Sequence, residues 1–218
     1  MLFRIAVALS AALVVASPRR GSAQVRLEIG PAIGAYRPGG PAIEGCSLKS
    51  SASWRCGASS ASSYTQTGAA AVGARITVSP WDRGATAGRL AFQGSFSYVP
   101  SQYVSSESLP GFEPIDGTIL VADLRVAVRM ALGSPAVSGL LMGGPALIHS
   151  DLTHSTSVGG AVGGGIDVHL GRVFVLRADA VEYLYSLDLE SDYLRFAGGD
   201  NSRHDLAVSI AISARTGR

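Results

Sequence analysis

Large apolar residues alternate with small or polar residues along most of this chain, and this two-residue period constrains the fold more than any other feature. The mean hydropathy is positive, at +0.28. Yet no apolar run beyond the first 23 residues reaches the roughly 20 residues that a membrane-spanning helix needs. Backbone polar groups must all be paired inside a bilayer. A hydrophobic chain of strands therefore has to close into a barrel, and the pattern predicts an all-β fold.

The alternation predicts eight strands, which is an even number and lets both chain ends lie on one side of a membrane. Each has about ten or more residues, the length that crosses a bilayer as a tilted strand. In the fifth segment both phases are apolar. In the seventh, Glu182 interrupts the phase, which indicates either a β-bulge or a residue at the level of the lipid headgroups. The predicted strands are Val25–Tyr36, Tyr64–Ser79, Arg89–Val99, Thr118–Leu132, Gly139–His149, Val158–Leu170, Val173–Leu187 and His204–Ala214.

The connections between these segments alternate in length. The long ones are Arg37–Ser63, Pro100–Gly117, Ser150–Ser157 and Asp188–Arg203, whereas the short ones are Pro80–Gly88, Gly133–Ser138 and Gly171–Arg172. Long connections at one end and short turns at the other are typical of outer-membrane barrels, in which the long ones face outward. Together, strand phase and loop length predict an eight-stranded antiparallel up-and-down barrel.

Charged residues occupy the phase opposite the large apolar residues. A soluble β-sandwich would show the same alternation with its apolar phase buried. Two features favour the membrane barrel: Lys49 is the only lysine, and the strands exceed the usual soluble length of about 5–6 residues. The charges would then fill a narrow interior, where five basic and five acidic side chains neutralise one another: Arg26, Glu28, Arg75, Asp123, Arg125, Arg129, Asp167, Arg177, Asp179 and Asp205.

The first 23 residues have the composition of a secretory signal peptide. Arg4 precedes an apolar run from Ile5 to Ala16, and Gly21-Ser22-Ala23 supplies small residues before a cut. We expect cleavage after Ala23, leaving a single barrel domain over residues 24–218. Removing the three leader arginines from the 18 basic residues leaves 15 basic against 16 acidic residues. No basic patch remains, so we expect no nucleic-acid partner.

Two cysteines, Cys46 and Cys56, lie close together in a Ser/Gly-rich segment after the leader. Disulfides form and persist in the oxidising compartments that exported chains reach. A zinc site would need further cysteine or histidine ligands nearby. We therefore expect a disulfide within the first long loop.

At this point the chain resembles the small bacterial outer-membrane β-barrel proteins of the OmpA/OmpX-like superfamily. The resemblance rests on the leader end Ala23-Gln24, on the first strand Leu-Glu-Ile-Gly-Pro (27–31) and on the closing Arg-His-Asp-Leu (203–206). It implies a monomer in the bacterial outer membrane, with membrane lipids and the barrel-insertion machinery as partners. Such barrels usually end in an aromatic residue, whereas this chain ends Ser-Ala-Arg-Thr-Gly-Arg (213–218).

Three local patterns raise the question of a more specific function: nucleotide binding, metal binding or catalysis. Gly160, Gly163, Gly164 and Gly165 imitate a dinucleotide-binding run, but a strand pattern follows them where that motif requires a helix. His149, Asp151 and His154 have side chains that suit a metal, although a solvated loop is the favoured interpretation. The third pattern is a possible catalytic His–Ser pair, which would need an acidic side chain to orient the histidine.

Some barrels of this kind remove acyl chains from lipid A with a His/Ser pair. Here His154 with Ser155 or Ser157, and Asp151 as the acid, would be the counterparts, although His-Ser-Thr (154–156) departs from the serine spacing of that group. We therefore expect no enzyme, no cofactor and no metal.

Three classes of function stay open. The first, which we favour, is a structural or surface-interaction barrel acting through long outer loops, with a salt-bridged and closed interior. The second is a lipid A-modifying enzyme. The third is a narrow channel for small solutes, although eight strands enclose an interior just wide enough for side chains.

Overall fold

The computed structural model describes residues 25–39, 41–44, 46–49, 53–56, 63–79, 89–105, 114–151, 155–186 and 202–216. Across these ranges every regular element is a β-strand, and none contains a helix long and apolar enough to cross a membrane. The twelve strands are β1 (Arg26–Arg37), β2 (Pro41–Glu44), β3 (Cys46–Lys49), β4 (Ser53–Cys56), β5 (Ser63–Gln66), β6 (Ala69–Ser79), β7 (Arg89–Ser105), β8 (Ile115–Leu132), β9 (Ser134–Ser150), β10 (Ser155–Leu170), β11 (Phe174–Ser186) and β12 (Ser202–Thr216).

Eight long strands close on themselves. Each of β6 to β12 pairs antiparallel with the next, and β1 pairs with both β6 and β12. The closing ladder is well defined, because Ile33 of β1 lies opposite both Ile210 of β12 and Val72 of β6. The chain is therefore an eight-stranded antiparallel up-and-down β-barrel, as the alternation predicts.

The barrel is apolar outside and polar inside. Ile33 is 65% exposed on the outer surface, and many other large apolar side chains share that surface. In contrast, Arg125 on the inner surface is only 1% exposed. Burial therefore resolves the ambiguity of the alternation: in a sandwich the apolar phase would be hidden, whereas here it faces outward, as a surrounding bilayer requires.

The burial of side chains also explains the fifth and seventh predicted strands, whose sequence patterns are ambiguous. β9 is apolar in both phases because it contributes Leu140, Met142, Ala146 and Ile148 to the interior while Leu141 and Leu147 face outward. In β11, inward and outward positions alternate without a break, and the pairing with β10 and β12 shows no register shift.

Glu182 therefore keeps the outward phase, and no bulge is present at this position. Its carboxylate lies 3.1 Å from Nδ1 of His204 on the neighbouring strand. Outward charge at this level marks the approach to one edge of the apolar band.

The barrel has two unlike ends. At the turn end, β8 and β9 are joined through Gly133 and β10 and β11 through residues 171–173, and both Gly133 and Gly171 adopt positive φ, at 67° and 71°. Glycine adopts this conformation without steric cost. At the opposite end, here called the loop end, residues 106–114 connect β7 to β8 and residues 187–201 connect β11 to β12. The alternation in length is not complete, because the loop-end connection between β9 and β10 covers only residues 151–154, whereas the turn-end connection between β6 and β7 covers residues 80–88.

The first connection is more structured than predicted. The sequence indicates one loop over Arg37–Ser63, but β2 pairs with β5, and β3 pairs with β4 to form a separate hairpin. The second predicted strand is likewise two strands, β5 and β6, separated by Thr67 and Gly68. Short strands in a Ser/Gly-rich stretch carry too few apolar residues to show a two-residue period.

Candidate functional site: the barrel interior

The structure buries nine of the ten side chains proposed as interior charges, and leaves Arg26 at the turn end half-buried. The nine are Glu28, Arg75, Asp123, Arg125, Arg129, Asp167, Arg177, Asp179 and Asp205. They are not scattered, but form three layers along the barrel.

The lower layer lies toward the turn end and contains Glu28, Arg129, Asp167 and Arg177. Arg177 donates from Nε and Nη2 to the two carboxylate oxygens of Asp167, at 2.5 and 2.8 Å. Arg129 Nη2 lies 2.6 Å from Glu28, and its Nε lies 3.0 Å from Asp167. Two cations and two anions from four strands thus form one neutral cluster across the lumen.

Neutral polar side chains complete this lower layer. Arg177 Nη1 donates to Gln93 at 2.9 Å and to Thr77 at 3.2 Å, and Arg129 donates to Ser79 at 3.2 Å. Gln93 and Thr77 are themselves fully buried. The layer therefore connects β1, β6, β7, β8, β10 and β11, and it fills the interior at this height.

The middle layer contains two ion pairs, each completed by a serine. Arg75 Nη1 lies 2.6 Å from Asp179, and both groups also bond to Ser209. Arg125 Nε lies 2.8 Å from Asp123, and Ser95 bridges the same pair. Since each pair is neutral, this layer also carries no net charge.

The upper layer lies toward the loop end and is centred on Asp205. Its Oδ2 accepts from the hydroxyls of Tyr36 and Tyr185, at 2.5 and 2.6 Å, and its Oδ1 accepts from the backbone N–H of Gly39 at 2.9 Å. Arg203 lies on the same strand, two residues away. Tyr183 joins the upper and middle layers, since its hydroxyl donates to Asp123 and its ring stacks on Tyr36.

A small cavity lies inside the barrel, beside the middle layer. It has a volume of about 30 Å³ between Tyr36, Arg75 and Tyr183, which is enough to hold a water molecule. A larger groove of about 730 Å³ lies at the loop end, where it is lined by Thr67, Tyr98, Pro100, Gln102 and Asp116 among others.

That groove coincides with an interruption in the barrel wall. β6 pairs with β7 as far as Val72 and Tyr98, and contact resumes where the N–H of Thr67 donates to the carbonyl oxygen of Gln102 at 2.8 Å, next to the pair formed by Gln66 of β5 and Tyr103. Pro100 falls within the gap and has no N–H to donate.

Comparison with solved structures identifies known proteins with this architecture. The outer-membrane protein OprG from Pseudomonas aeruginosa aligns over 91% of this chain and 99% of its own, with a TM-score of 0.56 and 11% identity. The chain has the fold of a small outer-membrane β-barrel.

Two further structures align over most of this barrel. Ail, the attachment invasion locus protein of Yersinia pestis, aligns over 90% of this chain and 100% of its own, with a TM-score of 0.43 and 12% identity. Neisserial surface protein A aligns over 89% and 99%, with a TM-score of 0.48 and 14% identity. No protein-family model matches the chain, and neither does any curated protein sequence.

The glycine run lies in a strand of the barrel wall. Gly160, Gly163, Gly164 and Gly165 lie within β10, which leads through a turn into β11 rather than into a helix. A Cβ on Gly163 would lie 2.3 Å from the carbonyl oxygen of Ala180 on β11, and one on Gly165 would lie 2.6 Å from that of Ala178. Gly163 and Gly165 therefore permit close approach of backbones within the barrel wall.

The residues considered for metal binding or catalysis lie at the loop end of β9 and β10. His149 Nδ1 lies 2.9 Å from the Thr156 hydroxyl, and its Nε2 lies 3.8 Å from Asp151. Ser157 is buried, whereas Ser155 is half-buried. His154 lies outside the described residues, so the proposed triad is not placed. Within the described ranges, no three His, Cys, Asp or Glu side chains are grouped as metal ligands.

In the hairpin formed by β3 and β4, the backbone places Cys46 directly opposite Cys56. The side chains of both cysteines, and the leader over residues 1–23, lie outside what the structure describes. The disulfide and the cleavage after Ala23 therefore stay predictions.

Sequence reasoning missed four interior residues. Arg203 falls one residue before the predicted start of the last strand, and the inward phase of Asp205 continued two residues back would have found it. Tyr36, Tyr183 and Tyr185 also lie inward, and the unbroken phase of β11 places two of them. Tyrosine is common on both sides of a barrel wall, so its type alone gave no signal.

Proposed function

We propose that this chain is a non-enzymatic outer-membrane barrel with a closed interior, which acts through surface interactions at its loop end. The observation that carries the proposal is the stack of three hydrogen-bonded layers across the lumen. Buried charges that are paired and hydrogen-bonded are tolerated, whereas unpaired ones are costly. The buried charges therefore support the fold and leave no open path for a solute.

Charge balance supports the same conclusion. Within the described residues, five buried arginines match five buried carboxylates. A pore selective for one sign of ion would leave an excess of the other sign along its walls. An interior with equal numbers of both, in which four of the five arginines have a carboxylate oxygen at 2.8 Å or less, matches a plug rather than a selectivity filter.

The remaining elements of the proposal concern export and placement. The leader would direct the chain across the inner membrane and be removed after Ala23, leaving 24–218 as one barrel domain. The loop end would face outward and the turn end the periplasm. The barrel would be a monomer among outer-membrane lipids, placed there by the barrel-insertion machinery, with Cys46 and Cys56 joined in the first outer loop.

Conductance tests the closed interior. The pure protein should give no steady, single-step currents in a planar bilayer, while a general porin under the same conditions does. Regular unitary steps from the wild-type protein would instead support the channel alternative.

Lipid A chemistry tests the enzyme alternative. Mass spectra of lipid A from cells that express the protein should match those from cells without it. Loss of an acyl chain that depends on His154 would replace the proposal with the enzyme.

Fractionation tests the outer-membrane location that both of these experiments assume. The mature protein should be recovered with the outer membrane, and its gel mobility should change between unheated and boiled samples. Mature protein found soluble in the periplasm would reject the membrane placement.

A further inference from the structure

Arg203 differs from every other buried arginine of the described barrel. Arg75, Arg125, Arg129 and Arg177 each have a carboxylate oxygen at 2.8 Å or less. Among the described residues, the nearest carboxylate to Arg203 is that of Asp205, at 3.9 Å from its Nε. Arg203 is nevertheless only 5% exposed. Within the described part of the chain it is thus a buried cation without a close counter-ion.

Other groups already bind the carboxylate of Asp205. Its two oxygens accept three hydrogen bonds, from Tyr36, Tyr185 and the backbone of Gly39. Arg203 Nε and Nη2 are both buried, and neither has a hydrogen-bond partner among the described residues. Because a guanidinium presents its N–H groups as a planar fork, these two open donors form a ready site for two oxygens of one group.

Arg203 lies near one end of the barrel interior. It is the second residue of β12, at the loop end, with the Asp205 layer beneath it. Gln66, on β5 at the same end, is also buried, and its Nε2 has no partner among the described residues. An unpaired buried cation is costly to a fold, and donors left open at the mouth of a lumen indicate an acceptor that comes from outside the chain.

We propose that Arg203 is the centre of an oxyanion-binding site at the loop end of the barrel, which takes a carboxylate or phosphate group through its Nε and Nη2. The group enters above the Asp205 layer and does not pass through the barrel. That this end faces the exterior rests on the proposed function, but the existence of the site does not.

Binding should be measured on the full folded protein in uncharged detergent micelles. Sodium phosphate and sodium acetate are titrated separately at constant ionic strength, and binding is followed by calorimetry. The variants are Arg203→Gln and, as a matched control, Arg172→Gln in an exposed turn at the opposite end. The wild-type protein and R172Q should bind with equal affinity. R203Q should bind about tenfold more weakly or worse, since one charge-assisted contact is lost.

A stability measurement separates a ligand site from a structural cation. Without added anion, R203Q should unfold at the same urea concentration as the wild-type protein or a higher one, since it removes an unpaired buried charge. Unchanged anion affinity in R203Q would overturn the proposal. So would a loss of stability in R203Q as large as that in Arg177→Gln, since Arg203 would then be part of the fold.

The source of the oxyanion is resolved by vesicles. Phosphatidylcholine vesicles carrying lipid A are compared with vesicles that carry none, with no free phosphate present. Binding of free phosphate or acetate in micelles, without response to lipid A, assigns a soluble ligand. A response to lipid A that R203Q abolishes assigns a lipid headgroup. Absence of both responses in the wild-type protein rejects the site.

Discussion

Arg177 and Asp167 lie directly opposite each other on β11 and β10, and the guanidinium fork of one grips both carboxylate oxygens of the other. A cross-strand pair that is bidentate and fully buried is the strongest form of such a contact. Three further acceptors, Glu28, Gln93 and Thr77, surround the same guanidinium. Arg177 therefore joins four strands besides its own.

Removing Arg177 should weaken the whole barrel. Arg177→Ala leaves Asp167 with only Arg129 as a cationic partner, and the expected loss of unfolding free energy is about 3 kcal/mol, the lower range for breaking a buried pair. Urea unfolding in micelles, followed by gel mobility, measures it. Arg172→Ala, in an exposed turn, serves as the control and should change little. Equal effects of the two substitutions would contradict the layer.

The outward phase of β8 makes its midpoint intolerant of charge. Val126 lies on the outer surface, opposite Phe92 of β7. Val126→Arg should cost about 2–4 kcal/mol, which is typical of arginine near the bilayer midplane. Thr156→Arg, outward at the loop end of β10, should cost far less. The comparison requires reversible folding into lipid vesicles, and similar costs at both positions would mean that the membrane band is misplaced.

Opening the middle layer should not open the barrel. Arg125→Ala removes contacts to Asp123, Ser95 and Met142 and leaves Asp123 without its cation. The barrel should unfold at lower urea, yet it should still carry no current, because the lower layer around Arg177 is untouched. Stability and planar-bilayer conductance are measured on the same preparation. A new conducting state in this variant would show that the middle layer alone closes the lumen.

The hairpin formed by β3 and β4 should be closed by a disulfide. The register places Cys46 opposite Cys56, and the export that we propose for this chain would bring both cysteines into an oxidising compartment. The closed loop is short, so the stabilisation should be at most about 3 kcal/mol, the chain-entropy figure for a loop of about 15 residues. Mass spectrometry of the never-reduced protein should show two fewer hydrogens than the reduced form. Two alkylatable thiols would disprove the bond, and the double serine variant should still form the barrel.

Two glycines of β10, Gly160 and Gly163, should respond differently to the same substitution. A Cβ on Gly163 would meet backbone atoms of β11 at 2.3 and 2.9 Å, whereas one on Gly160 has its nearest neighbour at 4.0 Å. Gly163→Ala should therefore destabilise by about 1–3 kcal/mol, as overpacking does, while Gly160→Ala should be tolerated. If both variants unfold like the wild-type protein, close backbone approach does not explain the glycine run.

The order of strands and their two faces follow from the sequence alone. A side chain changes side at every residue of a strand, so the position of Asp167 or Arg177 in the phase already predicts which face it shares with its neighbours. Glu182 shows where this reasoning stops. An outward charge and a β-bulge give the same local pattern, and only the unshifted pairing with β10 and β12 distinguishes them.

Tertiary structure decided how the charges are combined. Glu28 and Arg129 are 101 residues apart in sequence but 2.6 Å apart in space, because the tilt and closure of the barrel bring β1 and β8 together across the lumen. No local pattern encodes such a partner. The same holds for Arg203, where sequence gives an inward arginine two residues from an aspartate. Only the three-dimensional arrangement shows that Tyr36, Tyr185 and Gly39 have already occupied that aspartate, so that the arginine's own donors stay open.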